Sequence, residues 1–242
     1  NRMSQLSRDE LNKGVIASSA GNHAQGVAMS ASFLNCRALI VMPITTPVMK
    51  IQAVESLNAE VVLYGETYDE SYEKAIEISK KEKLTFIHPF NDPEVIAGQG
   101  TIGIEILRQS NKRPDAIYLA VGGGGLISGV GAYIKAIWPK IKIIGVEPED
   151  ACAMTLSLKE NKIIELDNVG LFADGVAVRK VGEETFALAK KTVDKMVTVS
   201  TDEICAAIKD VFVDTRSILE PAGALSIAGL KADVSRRKLK GK

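Results

Sequence analysis

The alternation of short apolar runs with longer amphipathic segments constrains this chain more than any other feature. The runs GVIASSA (14–20), ALIVMP (38–43), EVVLYG (60–65), TFIHP (85–89), AIYLAVG (116–122) and KIIGVEP (142–148) are β-branched and bounded by Gly or Pro. They are too short for helices and read as buried strands. Helical patterns lie between them at 22–35, 47–58, 67–83, 98–110 and 125–138. Thr46-Pro47 fits an N-cap followed by proline at the first helical position. Strands alternating with helices pair in parallel, because each parallel neighbour needs a crossover, and the crossovers cover both sheet faces. The expected fold class is therefore α/β with open parallel sheets. After Glu147 the rhythm weakens: 182–195 and 202–232 read mainly as helix, with KMVTVS (195–200) as a strand between them. The proline-bracketed stretch HPFNDP (88–93) is the expected seam between two domains, 1–90 and 91–242.

Composition excludes several partners. Lys+Arg and Asp+Glu stand at 30 each, so the net charge is zero. That argues against nucleic acid or an anionic membrane as the main partner. The basic tail SRRKLKGK (235–242) is a local exception and reads as a solvated end. No apolar run approaches the ~18–20 residues of a membrane span. Cys36, Cys152 and Cys205 are scattered, with neither metal spacing nor a disulfide framework, which suits a reducing compartment. No metal site is assigned. No signal peptide is visible, and the chain starts at Asn1 rather than Met, so its native beginning is expected to be missing.

Two strand-to-helix turns stand out. SSAGNHAQG (18–26) follows GVIA, and VGGGGLISG (121–129) follows AIYLA. Glycines in a row imply positive φ, backbone close to a ligand, or both. Successive N–H groups before a helix form an anion cradle that the helix dipole favours. Phosphate is the expected guest at Gly122, Gly123, Gly124 and Gly125; a tight turn alone would use the same residues. The turn lacks the Gly-Lys-Ser/Thr ending of a P-loop. Glu147 follows about two dozen residues on, at the end of the next strand, like the ribose-binding acid of a dinucleotide fold. A nicotinamide oxidoreductase therefore stays open as an alternative. The first turn weakens it, since a dinucleotide site has no need of Asn22 and His23 on an earlier turn. Backbone N–H groups at 19–23 are placed to hold a carboxylate, and the Asn22 amide a phenolic or carbonyl oxygen. His23 has a structural reading as well, and its chemistry would require a pKa near neutrality.

Taken together, SSAGNHAQGVA, IVMP, TTP, HPFNDP with VIAGQGTIG, VGGGGLISG, GVEP, FADGVAV and EPAGA resemble the threonine dehydratase (threonine deaminase) family of fold-type II pyridoxal-phosphate enzymes. The resemblance runs in order along almost the whole chain. It implies two open parallel-sheet α/β domains with the cofactor site between them, as in the tryptophan synthase β chain. It implies that Gly122 to Gly125 bind the phosphate of pyridoxal 5′-phosphate and that Asn22 contacts the cofactor's ring oxygen, with Glu220 of EPAGA near the ring. It assigns Ser19, Ala20, Gly21 and His23 to an amino-acid substrate. The implied activity is that of a threonine ammonia-lyase, giving 2-oxobutanoate, or pyruvate from serine, with ammonia. A homodimer or homotetramer in the cytoplasm or the plastid stroma is implied too.

Two departures bear on activity. The family's Schiff-base lysine lies in an S-F-K-x-R-G-A motif upstream of what is present here, and a second motif, S-G-x-N, lies downstream. The chain is thus read as an internal fragment, inactive alone, with the catalytic lysine outside it; Lys50 reads as mid-helix and without that role. Glu147 reads as structural and Asp174 as a turn acid. A serine racemase-like enzyme is the alternative within the resemblance. Those enzymes carry a serine where this chain has Ala20, which points to elimination rather than racemisation. A non-catalytic binding protein of the same fold is the remaining alternative.

Overall fold

The computed structural model describes residues 1–237. It contains two compact units, Asn1–Val95 and the chain from Ile96 onward. In chain order the first unit holds α1 (Arg8–Lys13), β1 (Val15–Ser18), α2 (Asn22–Leu34), β2 (Ala38–Met42), α3 (Val48–Glu55), β3 (Glu60–Leu63), α4 (Tyr68–Glu82) and β4 (Thr85–Phe86). Helix α5 (Pro93–Gln109) runs across the division. The second unit holds β5 (Ala116–Ala120), α6 (Gly125–Ile137), β6 (Lys142–Pro148), α7 (Ala153–Glu160), α8 (Glu183–Thr192), β7 (Lys195–Val199), α9 (Thr201–Thr215) and α10 (Pro221–Arg237).

Every strand pair is parallel. The first sheet has the order β3-β2-β1-β4, with Val15 opposite both Ala38 and Thr85, and Leu39 opposite Glu60. The second has the order β5-β6-β7, with Ala116 opposite Lys142 and Ile144 opposite Lys195. Burial on both faces explains the unbroken apolar runs. In the first sheet Val15, Ala17, Ile40 and Met42 pack with Val27, Ala31 and Val54 of α2 and α3. Their alternates Ile16, Leu39 and Val41 pack with Ala75 of α4. In the second, Ile144 and Val146 face Ile204, Leu225 and Ala228 of α9 and α10. Ile117, Leu119 and Ile143 face Ile127, Met154 and Ala189 of α6, α7 and α8. The period of two along a strand sorts these residues to opposite faces.

The α/β class and parallel sheets are those expected, but several elements differ in detail. Thr46 does not cap α3: Pro47 stands at the N-cap, the helix begins at Val48, and the buried Thr46 hydroxyl has no hydrogen-bond partner. Lys50 accordingly lies in the first turn of α3, not mid-helix. Helix α5 begins at Pro93, five residues before its expected start, because Asp92 accepts from the Glu94 and Val95 N–H groups. The 202–232 stretch is two helices, α9 ending in left-handed Arg216 (φ 61°) and α10 beginning at Pro221. Helices α1 and α7 were not anticipated; both are short, and periodicity over six to eight residues is weak evidence. The compact units divide after Val95, close to the proline-bracketed stretch 88–93. Of the basic tail, Lys238 onward lies outside the described residues; Arg236 pairs with Glu203 at 3.1 Å and Arg237 with Asp233 at 3.3 Å.

Candidate active site

Three helices carry the capping box of Ser or Thr with Glu three residues on: Ser7/Glu10 for α1, Thr67/Glu70 for α4 and Ser200/Glu203 for α9. Helices α2 and α6 do not. Their N-caps are Gly21 and Gly124, with no side-chain cap and no acid in the first turn. Both follow the C-terminal end of a strand, β1 and β5, which is where open parallel sheets bind ligands.

In the first unit, β1 ends at Ser18, whose buried hydroxyl has no hydrogen-bond partner. The Ser19 N–H continues the ladder to the Val41 carbonyl at 3.2 Å, and the Gly21 N–H donates to the Ser19 hydroxyl at 3.2 Å. The donors expected at Ser19 and Gly21 are therefore engaged within the protein, one by the sheet and one by the turn. The N–H groups of Asn22 and His23 open α2, where no intrahelical acceptor exists. Gly21 has φ −126°, and a Cβ there would meet no atom within 4 Å. Packing within the protein does not call for glycine at this position. The Asn22 side chain is exposed. His23 points elsewhere: its Nε2 donates to the Ile87 carbonyl at 3.0 Å, tying the start of α2 to the end of β4. Burial pushes its pKa down, against that hydrogen bond. Burial disfavours the charged imidazolium, and Nε2 is committed to the Ile87 carbonyl, so the side chain has a structural role. His88 sits among Tyr72, Phe86 and Phe90, and its Nδ1 accepts from the Phe90 and Asn91 N–H groups. Burial, and then the nearby His23, push its pKa down to about 4.

In the second unit, the glycine turn is built by close contact. Gly124 is left-handed at φ 94° and ψ 0°, a conformation glycine adopts without cost. A Cβ on it would lie 2.7 Å from Met154 Cε and 2.9 Å from Thr185 Cβ. A Cβ on Gly122 would lie 3.0 Å from the Cα of Val176, in the 3-10 turn Asp174–Val176. A Cβ on Gly175 would lie 3.0 Å from Ala222 Cβ and 3.8 Å from Glu220 Oε1. The motifs VGGGG, FADGVAV and EPAGA thus stack on one another through their glycines. Gly123 is held by its carbonyl, which accepts from the Thr185 hydroxyl at 2.7 Å. Gly125 is the first residue of α6. Asp174 opens the 3-10 turn.

Glu147 is a buried anchor at the C-terminal end of β6. It accepts from the Met154 N–H (2.9 Å), the Thr155 N–H (2.8 Å) and the Thr155 hydroxyl (2.6 Å), and so caps α7 from outside the helix. Burial pushes its carboxyl up to about 7, against the pull of those three bonds. No ribose-binding geometry is left to it. Thr185, Met154 and Ser128, which shape the glycine turn from behind, were not singled out by sequence; a Thr in a helix's first turn carries no local signal of what it reaches.

The family signature of pyridoxal-phosphate dependent enzymes matches residues 1–242, so the chain belongs to that family. Within it, the chain is 55% identical over 239 residues to an L-threonine dehydratase of Burkholderia multivorans, covering 98% of this chain and 47% of the relative. It is 58% identical over 232 residues to a chloroplastic biosynthetic threonine dehydratase of Arabidopsis thaliana, covering 96% and 39%. The chain therefore spans less than half the length of these relatives. Among solved structures, the processed form of threonine deaminase isoform 2 from Solanum lycopersicum superposes with TM-score 0.95 at 56% identity, covering 100% of this chain and 70% of that one. Maize serine racemase superposes with TM-score 0.92 at 31% identity, covering 98% and 71%.

Proposed function

We propose that the protein at its natural length is a threonine ammonia-lyase, converting L-threonine to 2-oxobutanoate and ammonia, and L-serine to pyruvate and ammonia. The observation that carries this reading is the Gly122–Gly125 turn, which puts a left-handed glycine at the N-cap of α6 and leaves no room for a side chain at Gly122 or Gly124. What supports a phosphate there is the set of backbone N–H donors at a helix N-terminus. The residues fit pyridoxal 5′-phosphate. The N–H groups of the glycine turn would hold its phosphate and the Asn22 amide its ring oxygen, and Glu220 would stand near the ring.

When bound, pyridoxal phosphate supplies an electron sink for the charge left at the substrate Cα as its proton departs. The substrate carboxylate belongs at the start of α2, where the Asn22 and His23 N–H groups lack intrahelical acceptors and the dipole favours an anion. Gly21 lets it approach. His23, anchored on Ile87, fixes the entry angle of the helix and moves no proton. The Ala20 methyl neither donates nor accepts a proton, which favours elimination over the racemisation named for the maize neighbour. A homo-oligomeric state and residence in cytoplasm or plastid belong to this proposal. Among the described residues no helix is long and apolar enough to cross a membrane.

The test is direct. The natural-length protein, loaded with pyridoxal phosphate, should release 2-oxobutanoate and ammonia from L-threonine in equal amounts and lose that activity when the cofactor is removed. Reduction of a nicotinamide cofactor in place of ammonia release, or retention of activity without pyridoxal phosphate, would refute it.

A further inference from the structure

We infer that Thr185 is the positioning residue of the phosphate cradle: its hydroxyl sets the orientation of the Gly123–Gly124 peptide and so aims the Gly124 N–H at the phosphate. This rests on the reading of Gly122–Gly125 as a phosphate site and adds to it a residue outside the turn.

Thr185 is fully buried in the first turn of α8, one turn past the N-cap Gly182. Its hydroxyl lies 2.7 Å from the Gly123 carbonyl and 3.1 Å from the Gly182 carbonyl. A hydroxyl has one proton to give, and the shorter contact takes it. The Gly182 N–H adds a longer bond to the same Gly123 carbonyl at 3.4 Å. Two donors from the start of α8 thus converge on one carbonyl of the glycine turn. Among the described residues every peptide is trans. In a planar trans peptide the C=O and the following N–H point in opposite directions. Holding the Gly123 carbonyl toward α8 therefore turns the Gly124 N–H away from α8, alongside the unsatisfied N–H groups that open α6.

This orientation needs an external hold. A left-handed glycine flanked by glycines has easy alternatives, since Gly crosses between positive and negative φ readily. Nothing in the local sequence VGGGGL selects one. Thr185 selects it from 62 residues away in sequence. Thr185 is itself fixed: Ser128 of α6 donates its hydroxyl to the Thr185 carbonyl at 3.0 Å. Its Cβ closes the space above Gly124, 2.9 Å from where a side chain would begin. The cradle helix and the helix behind it are thus linked in both directions, Thr185 to Gly123 and Ser128 to Thr185.

Three variants of the natural-length protein test the assignment: Thr185→Val, which keeps shape and removes the hydroxyl; Thr185→Ser, which keeps the hydroxyl; and Ser128→Ala, which loosens α8 without touching the Gly123 carbonyl. Each is titrated, as cofactor-free protein, with pyridoxal phosphate and separately with pyridoxal, which lacks the phosphate. Chemical unfolding of the cofactor-free protein is measured in parallel. Thr185→Val should weaken pyridoxal phosphate binding about tenfold, the worth of one well-placed hydrogen bond, and leave pyridoxal binding unchanged. Thr185→Ser should restore pyridoxal phosphate binding, and Ser128→Ala should lower stability while preserving the preference for the phosphate. Equal losses for both compounds in Thr185→Val, or no loss for either, would overturn the inference. If Thr185→Val fails to fold, Thr185→Ser decides: wild-type discrimination supports the hydroxyl's role, and loss of discrimination in a stable Thr185→Ser protein refutes it. Failure of the underlying phosphate reading looks different, because the unmutated protein would then bind the two compounds equally.

Discussion

Replacing Gly124 by alanine should destabilise the second unit by about 2–5 kcal/mol, and the two parts of that figure can be worked separately. A Cβ-bearing residue held at φ 94° costs roughly 1–2 kcal/mol in the left-handed region. The new methyl would also begin 2.7 Å from Met154 Cε and 2.9 Å from Thr185 Cβ, where carbon atoms prefer about 3.5–4.0 Å. Met154 Cε ends a flexible chain and can swing aside. Thr185 cannot, because its hydroxyl is tied to Gly123 and its carbonyl to Ser128. Forcing a methyl into such a place costs typically about 1–3 kcal/mol. Trp138, the single tryptophan of the 242 residues, packs in the same apolar cluster as Met154 and reports this unit's unfolding by fluorescence. Urea titration should show the midpoint falling with little change in slope. A comparison with Gly21→Ala separates strain from ligand contact. There a Cβ meets nothing within 4 Å, so stability should hold to within about 0.5 kcal/mol while substrate KM rises. A Gly124→Ala protein as stable as the parent would refute the steric reading of the turn, and a Gly21→Ala enzyme with unchanged KM would refute the carboxylate reading of the other.

Asn22→Ala should weaken cofactor retention and slow turnover by the loss of one hydrogen bond, about 1–3 kcal/mol if its partner stays unpaired; unchanged kcat and cofactor affinity would count against the assignment. Ala20→Ser should add measurable D-serine formation from L-serine while elimination continues, as read by chiral chromatography beside 2-oxo acid formation; loss of activity alone would mean that packing explains Ala20. His88 and Glu147 should oppose each other in pH dependence. The depressed pKa of His88 means stability is lost as pH falls from 6.5 toward 4, by about 1–2 kcal/mol after allowance for its partial exposure. The raised pKa of Glu147 means stability is lost as pH rises from 4.5 toward 7, by about 2–3 kcal/mol. Denaturant titrations between pH 4.5 and 7 should therefore show His88→Asn removing the acid-side loss and Glu147→Gln the neutral-side loss, and an unaltered pH profile in either variant would contradict its assignment.

Much of the fold was legible because buried parallel strands are short, apolar and punctuated. KIIGVEP became β6 with the expected bounds, Lys142–Pro148, and AIYLAVG became β5 with its last two residues released into the glycine turn. Helices with a capping box and a long amphipathic face, such as α4, were equally plain. What failed was short or conditional on tertiary partners. Helix α7 has eight residues, and its N-terminus is satisfied by Glu147 of the preceding strand, so its start carries no local cap signal. Thr46 has the right residue type for a cap and the wrong role, because Pro47 at φ −57° and ψ 138° already sits outside the helix. At the site, sequence identified the turns but not what holds them. Thr185 reaches Gly123 across 62 residues, and His23 reaches Ile87 across 64. Spacing along the chain contains no trace of either.

The two ends of each sheet do different work, and this explains why the turns can be so poorly self-supporting. At the N-terminal ends of the strands, charged side chains tie elements together. Arg37, just before β2, bridges Glu60 at the start of β3 and Glu82 at the end of α4. Asp194, just before β7, accepts from Lys135 of α6, from Lys142 and from the Ile143 N–H of β6. Asp233 of α10, 1% exposed, accepts from Tyr118 of β5 and pairs with Lys195 of β7 and with Arg237. The exposed pairs contribute little singly. Removing one partner of Asp233, however, would leave a buried charge under-compensated, which is costly. At the C-terminal ends of β1 and β5 stand glycine turns and helix starts with no side-chain cap. An uncapped helix start is less stable by about 1 kcal/mol than a capped one, and a run of four glycines has more conformational entropy to lose than any other four residues. Side-chain ties at the far edge of each sheet leave the near edge to glycine turns, and Thr185, through Gly123, and His23, through Ile87, are points where the scaffold reaches those turns.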